Sequence, residues 1–213
     1  MSYPEIHILS TKKLDQHLKN KAAEKNILID ERSFIRIEPI ADQTVQEYLK
    51  QVSGEAAVVF TSANAAEIVG RQANAADINW DIFCLGFATK ERVASFFNEK
   101  SIAGTADYGT ELADVIIDNG HIRKVIFFCA DQRRDTLPEK LRARGIIVEE
   151  KMVYRTIEAP SRIEKKYNGI VFFSPSAVRA FFEMNTAETA EDYFSIGETT
   201  STEIKKFTSI HLY

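Results

Sequence analysis

The sequence predicts an α/β fold of two similar doubly wound parallel-sheet lobes joined by a two-stranded connection. Three observations carry this expectation. Short, continuously apolar runs rich in β-branched and aromatic residues alternate with segments of helical period, which is how parallel strands covered on both faces read in sequence. Two consecutive strand–loop–helix units recur in the same order at nearly constant spacing. Two extended stretches that end in proline interrupt the strand–helix rhythm.

The elements follow in order. Ile6–Leu9 is a short apolar strand running into Ser10-Thr11-Lys12, the weakest of six such units. Ser33–Ile40 is extended, with Phe34, Ile35 and Ile37 ahead of Pro39. Ala57–Phe60 leads into Thr61-Ser62-Ala63-Asn64, and Ile82–Leu85 into Gly86-Phe87-Ala88-Thr89. Gly104 and Gly109 bracket a loop before a helix whose apolar stripe is Leu112, Val115 and Ile116. Val125–Phe128 is a strand followed by a Cys129-Ala130-Asp131-Gln132 loop. A helix carrying Leu137 and Leu141 closes at Gly145 in a left-handed cap. Val148–Pro160 is again extended, through Val153, Tyr154 and Ile157. Ile170–Phe173 precedes Ser174-Pro175-Ser176, where Ser174 is an N-cap and Pro175 takes the first helical position, where a missing N–H costs nothing. Tyr193–Ile196 leads into Gly197-Glu198-Thr199-Thr200, and Ser209–Leu212 is strand-like.

The internal echo sets the organisation. Val59 to Ala65 matches Phe172 to Ala177, pairing Ser62 with Ser174 and Asn64 with Ser176; Leu85 to Thr89 matches Ile196 to Thr200. Two similar lobes follow. Residues 1–35 with 158–213 are expected to form a discontinuous lobe, 40–150 an inserted lobe, and 33–40 and 148–160 the crossings between them. A paired crossing makes a hinge, and ligand sites favour the cleft beside one.

Composition excludes several classes. The 213 residues suit one large domain or two small ones. With 45% apolar and 27% charged residues the chain is an ordinary globular protein, neither collagen-like nor disordered. Lys and Arg number 27 against 31 Asp and Glu, a net charge of −4 that argues against a globally basic nucleic-acid binder. No apolar run approaches the roughly 20 residues that cross a bilayer, and residues 1–20 carry no signal-peptide pattern. Cytoplasmic location follows, as do buried, reduced thiols for Cys84 and Cys129, each within an apolar run. No G-x-G-x-x-G follows a strand, and no P-loop or G-x-S-x-G elbow is present. His7, His17, His121 and His211 are scattered without ligand spacing, so no metal is expected.

What remains is binding, or catalysis by orientation and hydrogen bonding. In open parallel sheets ligands bind outside the carboxyl ends of the strands. The loops there hold hydroxyl, amide and small side chains with few carboxylates: Thr61, Ser62, Asn64, Thr89, Ser174, Ser176, Thr199 and Thr200. With helix N-terminal N–H groups they suit a polyanionic or carboxylate-rich ligand; as single residues they also read as plain N-caps. Tyr154 is the candidate acid, since a phenol with pKa about 10 is protonated at neutral pH; a tyrosine half-buried in a strand is the other reading. Arg133, Arg134, Arg142 and Arg144 surround one helix, and Lys12 and Lys13 follow the first strand; both groups read as solvated surface or as carboxylate contacts.

The segments Val58 to Ala65, Leu85 to Thr89, Arg134-Asp135-Thr136-Leu137 with Gly145, Val153-Tyr154-Arg155-Thr156, Phe172 to Val178 and Ile196 to Thr200 together resemble the uroporphyrinogen-III synthase family. Each is weak alone; their order and spacing are specific, and they span nearly the whole chain. The resemblance implies two α/β lobes with the middle of the chain inserted, and a cyclising hydro-lyase of heme biosynthesis. Its reaction is the dehydrative closure of hydroxymethylbilane, a linear tetrapyrrole, to uroporphyrinogen III with ring D inverted through a spirocyclic intermediate. It implies no metal or organic cofactor. The family's mechanistic tyrosine falls on Tyr154, its G-x-x-T threonine on Thr89, and its S-P-S and G-x-T-T hydroxyls on Ser174, Ser176, Thr199 and Thr200. The family's T-R-P reads Thr11-Lys12-Lys13 here, Ala130-Asp131 stand near where an Arg-Gly is usual, and a usual last helix does not follow Ser209–Leu212. A small-molecule substrate, no nucleic acid, no membrane and a monomer are expected. The rival from another class is a two-lobed binding or sensor protein for a carboxylate-rich ligand; another α/β enzyme acting on a different anionic substrate is a second rival, since fold alone does not fix function.

Overall fold

The apolar runs become parallel strands. The computed structural model describes residues 5–52, 54–74, 78–133 and 135–209. In chain order the elements are β1 (Ile6–Ser10), α1 (Gln16–Ala23), β2 (Ile27–Glu31), β3 (Ile35–Pro39), α2 (Asp42–Gln51), β4 (Gly54–Phe60), α3 (Ala63–Gly70), β5 (Ile78–Leu85) and α4 (Ala88–Phe97). There follow β6 (Ile102–Ala106), α5 (Gly109–Asp118), β7 (Lys124–Ala130), α6 (Thr136–Ala143), β8 (Ile147–Glu158), β9 (Tyr167–Phe172), α7 (Pro175–Met184), β10 (Ala190–Ser195) and α8 (Glu198–Ile204).

The chain divides into two compact units, Met1–Arg36 with Ile157–Tyr213, and Ile37–Thr156. One sheet has the order β10-β9-β1-β2, the other β3-β8-β7-β4-β5-β6. The pairs from β1 to β2 and β9, from β9 to β10, from β4 to β5 and β7, from β5 to β6 and from β7 to β8 are all parallel.

In the larger sheet the central strands β4, β5 and β7 are buried on both faces. Val58, Phe60, Ile82, Cys84, Ile126 and Phe128 join one core, while Val59, Phe83, Val125, Phe127 and Cys129 join another. Alternate side chains point to opposite faces, so two cores make each strand continuously apolar. Phe60 stacks on Phe97 and Phe128 at 5.7 and 5.6 Å, and the Trp80 indole donates to the Val52 carbonyl at 2.9 Å. Truncating such a core aromatic costs about 3–5 kcal/mol.

The smaller sheet packs Leu9, Ile170, Phe172 and Tyr193 with Phe34 and the helix residues Val178 and Phe181. Its strand β2 is an edge, with Leu28 exposed and only Ile27 and Ile29 partly covered.

Three local expectations need correction. Gly104 is not in a loop but inside β6, where a Cβ would meet Val115 Cγ1 at 2.6 Å and Phe83 Cδ1 at 3.0 Å. Glycine is there because α5 and β5 press on that strand. Cys129 and Ala130 extend β7 rather than opening its loop, while Phe173 and Ile196 lie just past their strands. The left-handed cap of α6 is present: Gly145 has φ 76°, and Ile146 N–H donates to Leu141 O at 3.1 Å. Within the strand-like Ser209–Leu212, residues 210–212 lie outside the described residues, as does Arg134.

Candidate active site

Each sheet contains a point where the winding reverses. From β4 the chain moves outward to β5 and β6, then returns to β4's other side with β7 and β8. In the smaller sheet β1 moves to β2, and the later strands β9 and β10 lie on β1's other side. Ligands bind beyond the carboxyl ends of strands at such reversals, which selects the loops after β4 and β7 in one unit and after β1 and β9 in the other.

After β4, Ser62 caps α3, its Oγ accepting from Asn64 N–H at 3.2 Å. The same oxygen shares a hydrogen bond with Tyr154 Oη at 2.9 Å. Tyr154 is only 6% exposed. Burial pushes its phenol above the ordinary tyrosine value, the Ser62 and Asn64 side chains pull the other way, and Cys129 and Asp131 add to the rise. The group is therefore a neutral proton donor at physiological pH.

A bulge aims this side chain. Cys129 pairs with Met152, but the next β7 residue, Ala130, pairs with Tyr154, skipping Val153. Val153 and Tyr154 consequently enter the same core, which strict strand alternation forbids. Asp131 fastens the bulge. Its N–H donates to Tyr154 O at 3.1 Å, and its Oδ1 accepts from Gln132 N–H at 2.8 Å and Thr156 N–H at 3.0 Å.

Thr61 is half-buried beside Ser62, and Thr89 is buried in the first turn of α4, one strand over. The Ser62 hydroxyl bonds both Tyr154 Oη and Asn64 N–H, without Thr89.

In the other unit, Ser174 caps α7, accepting from Ala177 N–H at 3.3 Å, and lies 3.2 Å from the buried Ser176 hydroxyl. After β1, Thr11 N–H and Oγ1 both donate to Val171 O at 3.0 Å, and Ser10 Oγ donates to Lys12 O at 2.6 Å. Lys12 Nζ lies 5.8 Å from the centre of the Phe173 ring. Thr200 is buried in the first turn of α8, whereas its neighbour Thr199 is exposed.

The structure thus brings Ser62, Asn64 and Tyr154 into one hydrogen-bonded group and Ser174 with Ser176 into another. Sequence reasoning passes over Asp131, Ser10 and Thr11 as site residues. A hydroxyl pair or an aspartate directly after an apolar run is the available signal. Arg133 and Arg142 are both engaged by Glu150, Arg142 at 2.6 Å, and Arg133 also lies 3.4 Å from Asp135. Arg144 is exposed.

Fold and residues together define a class: an α/β protein with two parallel sheets whose strand ends carry hydroxyls, helix N–H groups and one neutral phenol. Comparison with known proteins narrows it. The family model described as uroporphyrinogen-III synthase HemD matches residues 16–210. Two solved structures are similar in fold. Uroporphyrinogen-III synthetase from Helicobacter pylori has 14% identity and a TM-score of 0.66, with 97% of this chain and 92% of that one covered. A mutant uroporphyrinogen III synthase from the extreme thermophile Thermus thermophilus has 12% identity and a TM-score of 0.59, covering 97% and 90%. Comparison with curated protein sequences finds no match. The chain belongs to the uroporphyrinogen-III synthase HemD family, and its function lies in uroporphyrinogen-III synthesis within heme biosynthesis. Among the described residues no helix is long and apolar enough to cross a membrane.

Proposed function

We propose that this chain catalyses the dehydrative cyclisation of hydroxymethylbilane to uroporphyrinogen III, as a cyclising hydro-lyase. The observation that carries the reading is the family match over residues 16–210. The Ser62–Tyr154 pair at a sheet reversal supports it chemically.

Tyr154 donates its proton to the departing hydroxyl, the C–O bond breaks, and water leaves behind an azafulvene-type cation. Ser62 then stabilises the phenolate through the bond it already makes, and the neighbouring Asn64 side chain favours it too. Left alone, the cation closes to the non-inverted isomer. The protein instead favours attack by the substituted ring-D carbon, forming the spirocyclic C–C bond. A ~100-fold preference needs only about 2.7 kcal/mol of differential stabilisation. The bond from the substituted ring-D carbon to the bridge shared with ring C then breaks, and ring D turns over. The freed bridge carbon bonds to ring D's unsubstituted carbon to close the macrocycle, and that carbon gives its proton to the phenolate, restoring the phenol. No electron is gained or lost overall.

Orientation supplies the preference. We assign to Thr61, Ser62, Asn64 and Thr89, with the helix N-terminal amides beside them, the binding of acetate and propionate arms, and the same carboxylate-binding chemistry to Ser174, Ser176, Thr199 and Thr200. The test is to supply freshly generated hydroxymethylbilane, oxidise the products and resolve the porphyrin isomers. Type III in excess is the expected result. Type I alone, the product of spontaneous closure, overturns the reading and favours a binding protein for a carboxylate-rich ligand.

A further inference from the structure

The link between β5 and α4 holds Phe87 in a backbone conformation that its side chain disfavours. Phe87 has φ 55° and ψ −130°, the pair that glycine normally supplies at the first central position of a type II′ turn. For a bulky L residue this is an outlier, kept where the surroundings or a function hold it. Glycine stands one position earlier, at Gly86, where a Cβ would lie 3.0 Å from Asp107 Oδ1. Packing does not offset the strain, because Phe87 is 80% exposed.

The connection itself does not demand the conformation. In the other unit β10 and α8 are joined by an equally short link, Ile196-Gly197, and its N-cap Gly197 is extended at φ −178°, ψ 159°. Any residue adopts that backbone. Of these two matching links only one is left-handed, and it is the one that carries an aromatic ring into solvent. A second exposed aromatic stands one strand over: Tyr108, 65% exposed, follows β6 as the N-cap of α5. The two loops are tied together by Gly86 N–H donating to Ala106 O at 2.9 Å.

We propose that Phe87 is a substrate-contacting residue whose ring stacks on a pyrrole ring of the linear tetrapyrrole, two residues from Thr89. The inference rests on the functional reading above and adds a contact to it. Carboxylate arms account for amides and hydroxyls but not for an exposed aromatic, whereas a flat π-rich ring does. The contact is made in the bound substrate and in the transition state alike, so it sets KM rather than kcat.

The test compares Phe87→Gly and Phe87→Tyr with the wild type, by thermal melting and by type III formation from freshly generated hydroxymethylbilane. Phe87→Gly is expected to melt about 2–6 °C higher, because glycine accepts the turn without strain. Its KM is expected to rise about tenfold with kcat within about twofold. Phe87→Tyr keeps the wild-type KM and melting temperature. Unchanged KM in Phe87→Gly beside an active wild type overturns this inference alone, as does a lowered melting temperature or a tyrosine variant as impaired as the glycine one. A wild type that forms no type III isomer overturns the functional reading, and this inference with it.

Discussion

The Ser62 hydroxyl lies 2.9 Å from the Tyr154 hydroxyl although 92 residues separate them. Neither position is set by that bond alone. Ser62 is held by its own capping bond to Asn64 N–H, and Tyr154 by the β8 bulge that Asp131 fastens. A phenol fixed by backbone on both sides is suited to donate a proton at one place without reorganising.

Tyr154→Phe tests this directly. The ring stays and the core keeps its shape, so substrate affinity is expected to change little. Turnover is expected to fall by about 10²–10⁴-fold, the usual contribution of a positioned acid. The pH profile supplies the second readout. Because the donor is the neutral form and burial raises its pKa above the ordinary 10, this group's activity is complete at neutral pH and is lost only as pH rises through the raised value. Turnover should therefore show no loss attributable to Tyr154 between pH 7 and pH 9. Steady-state rates across that range, with type III product resolved, check both points; wild-type turnover in Tyr154→Phe removes the residue from the mechanism.

The parallel α/β class was legible because the larger sheet buries both faces, leaving runs such as Val58-Val59-Phe60 without polar interruption. The edge strands β2 and β6 were not, although β3 and β10, also edges, were. β2 shows its Leu28, Asp30 and Glu31 to solvent, and β6 reads Ile-Ala-Gly-Thr-Ala, too small and too glycine-marked to announce a strand. The bulge that aims Tyr154 was also hidden, because Val153-Tyr154 looks like any alternating pair until the register with Ala130 is known. The internal echo paired β4 and β5 with β9 and β10, but strands β1 and β2, from the start of the chain, take the sheet positions that β7 and β8 hold in the other unit. Sequence order conceals that exchange, so the loop after β1, with Ser10 and Thr11, was undervalued beside the loop after β9.

Gly104→Ala follows from the strand the sequence missed. Its methyl group would meet Val115 and Phe83 side chains at 2.6 and 3.0 Å. Both neighbours sit in a packed layer and have little room to yield, so the variant should lose about 1–3 kcal/mol in urea unfolding. A loss of under about 0.5 kcal/mol would mean that β6 is loosely packed.

At Ser174 two roles can be separated. As the N-cap of α7 it accepts from Ala177 N–H, and Ser174→Ala should cost about 1 kcal/mol of stability. Aspartate caps as well as serine, so Ser174→Asp should restore the stability. Its negative charge, however, would oppose an acidic substrate arm, and KM should rise while the urea midpoint stays near wild type. Wild-type KM in Ser174→Asp would leave Ser174 with the cap alone.

The two cysteines make stability depend on alkaline pH. Cys84 and Cys129 are free thiols, 0% and 4% exposed, and burial pushes each from its ordinary 9 to about 11. A raised pKa means that the folded state keeps its proton where the unfolded state has lost it, so this contribution is complete below the unfolded value and lost as pH rises through the folded one. Between pH 8 and pH 10 the pair should cost about 2–3 kcal/mol of unfolding free energy. Tyr154, Tyr167 and Tyr193, whose phenols burial also raises, begin to titrate in the unfolded chain at about pH 9 and add to the loss at pH 10, so the thiols' share is read from the difference between wild type and a variant without them. A Cys84→Ala, Cys129→Ala double variant should be less stable at every pH, since it leaves two small voids, yet should lose markedly less between pH 8 and pH 10. Urea unfolding at the two pH values measures the difference, and an alkaline loss equal to that of the wild type would assign the dependence to other groups.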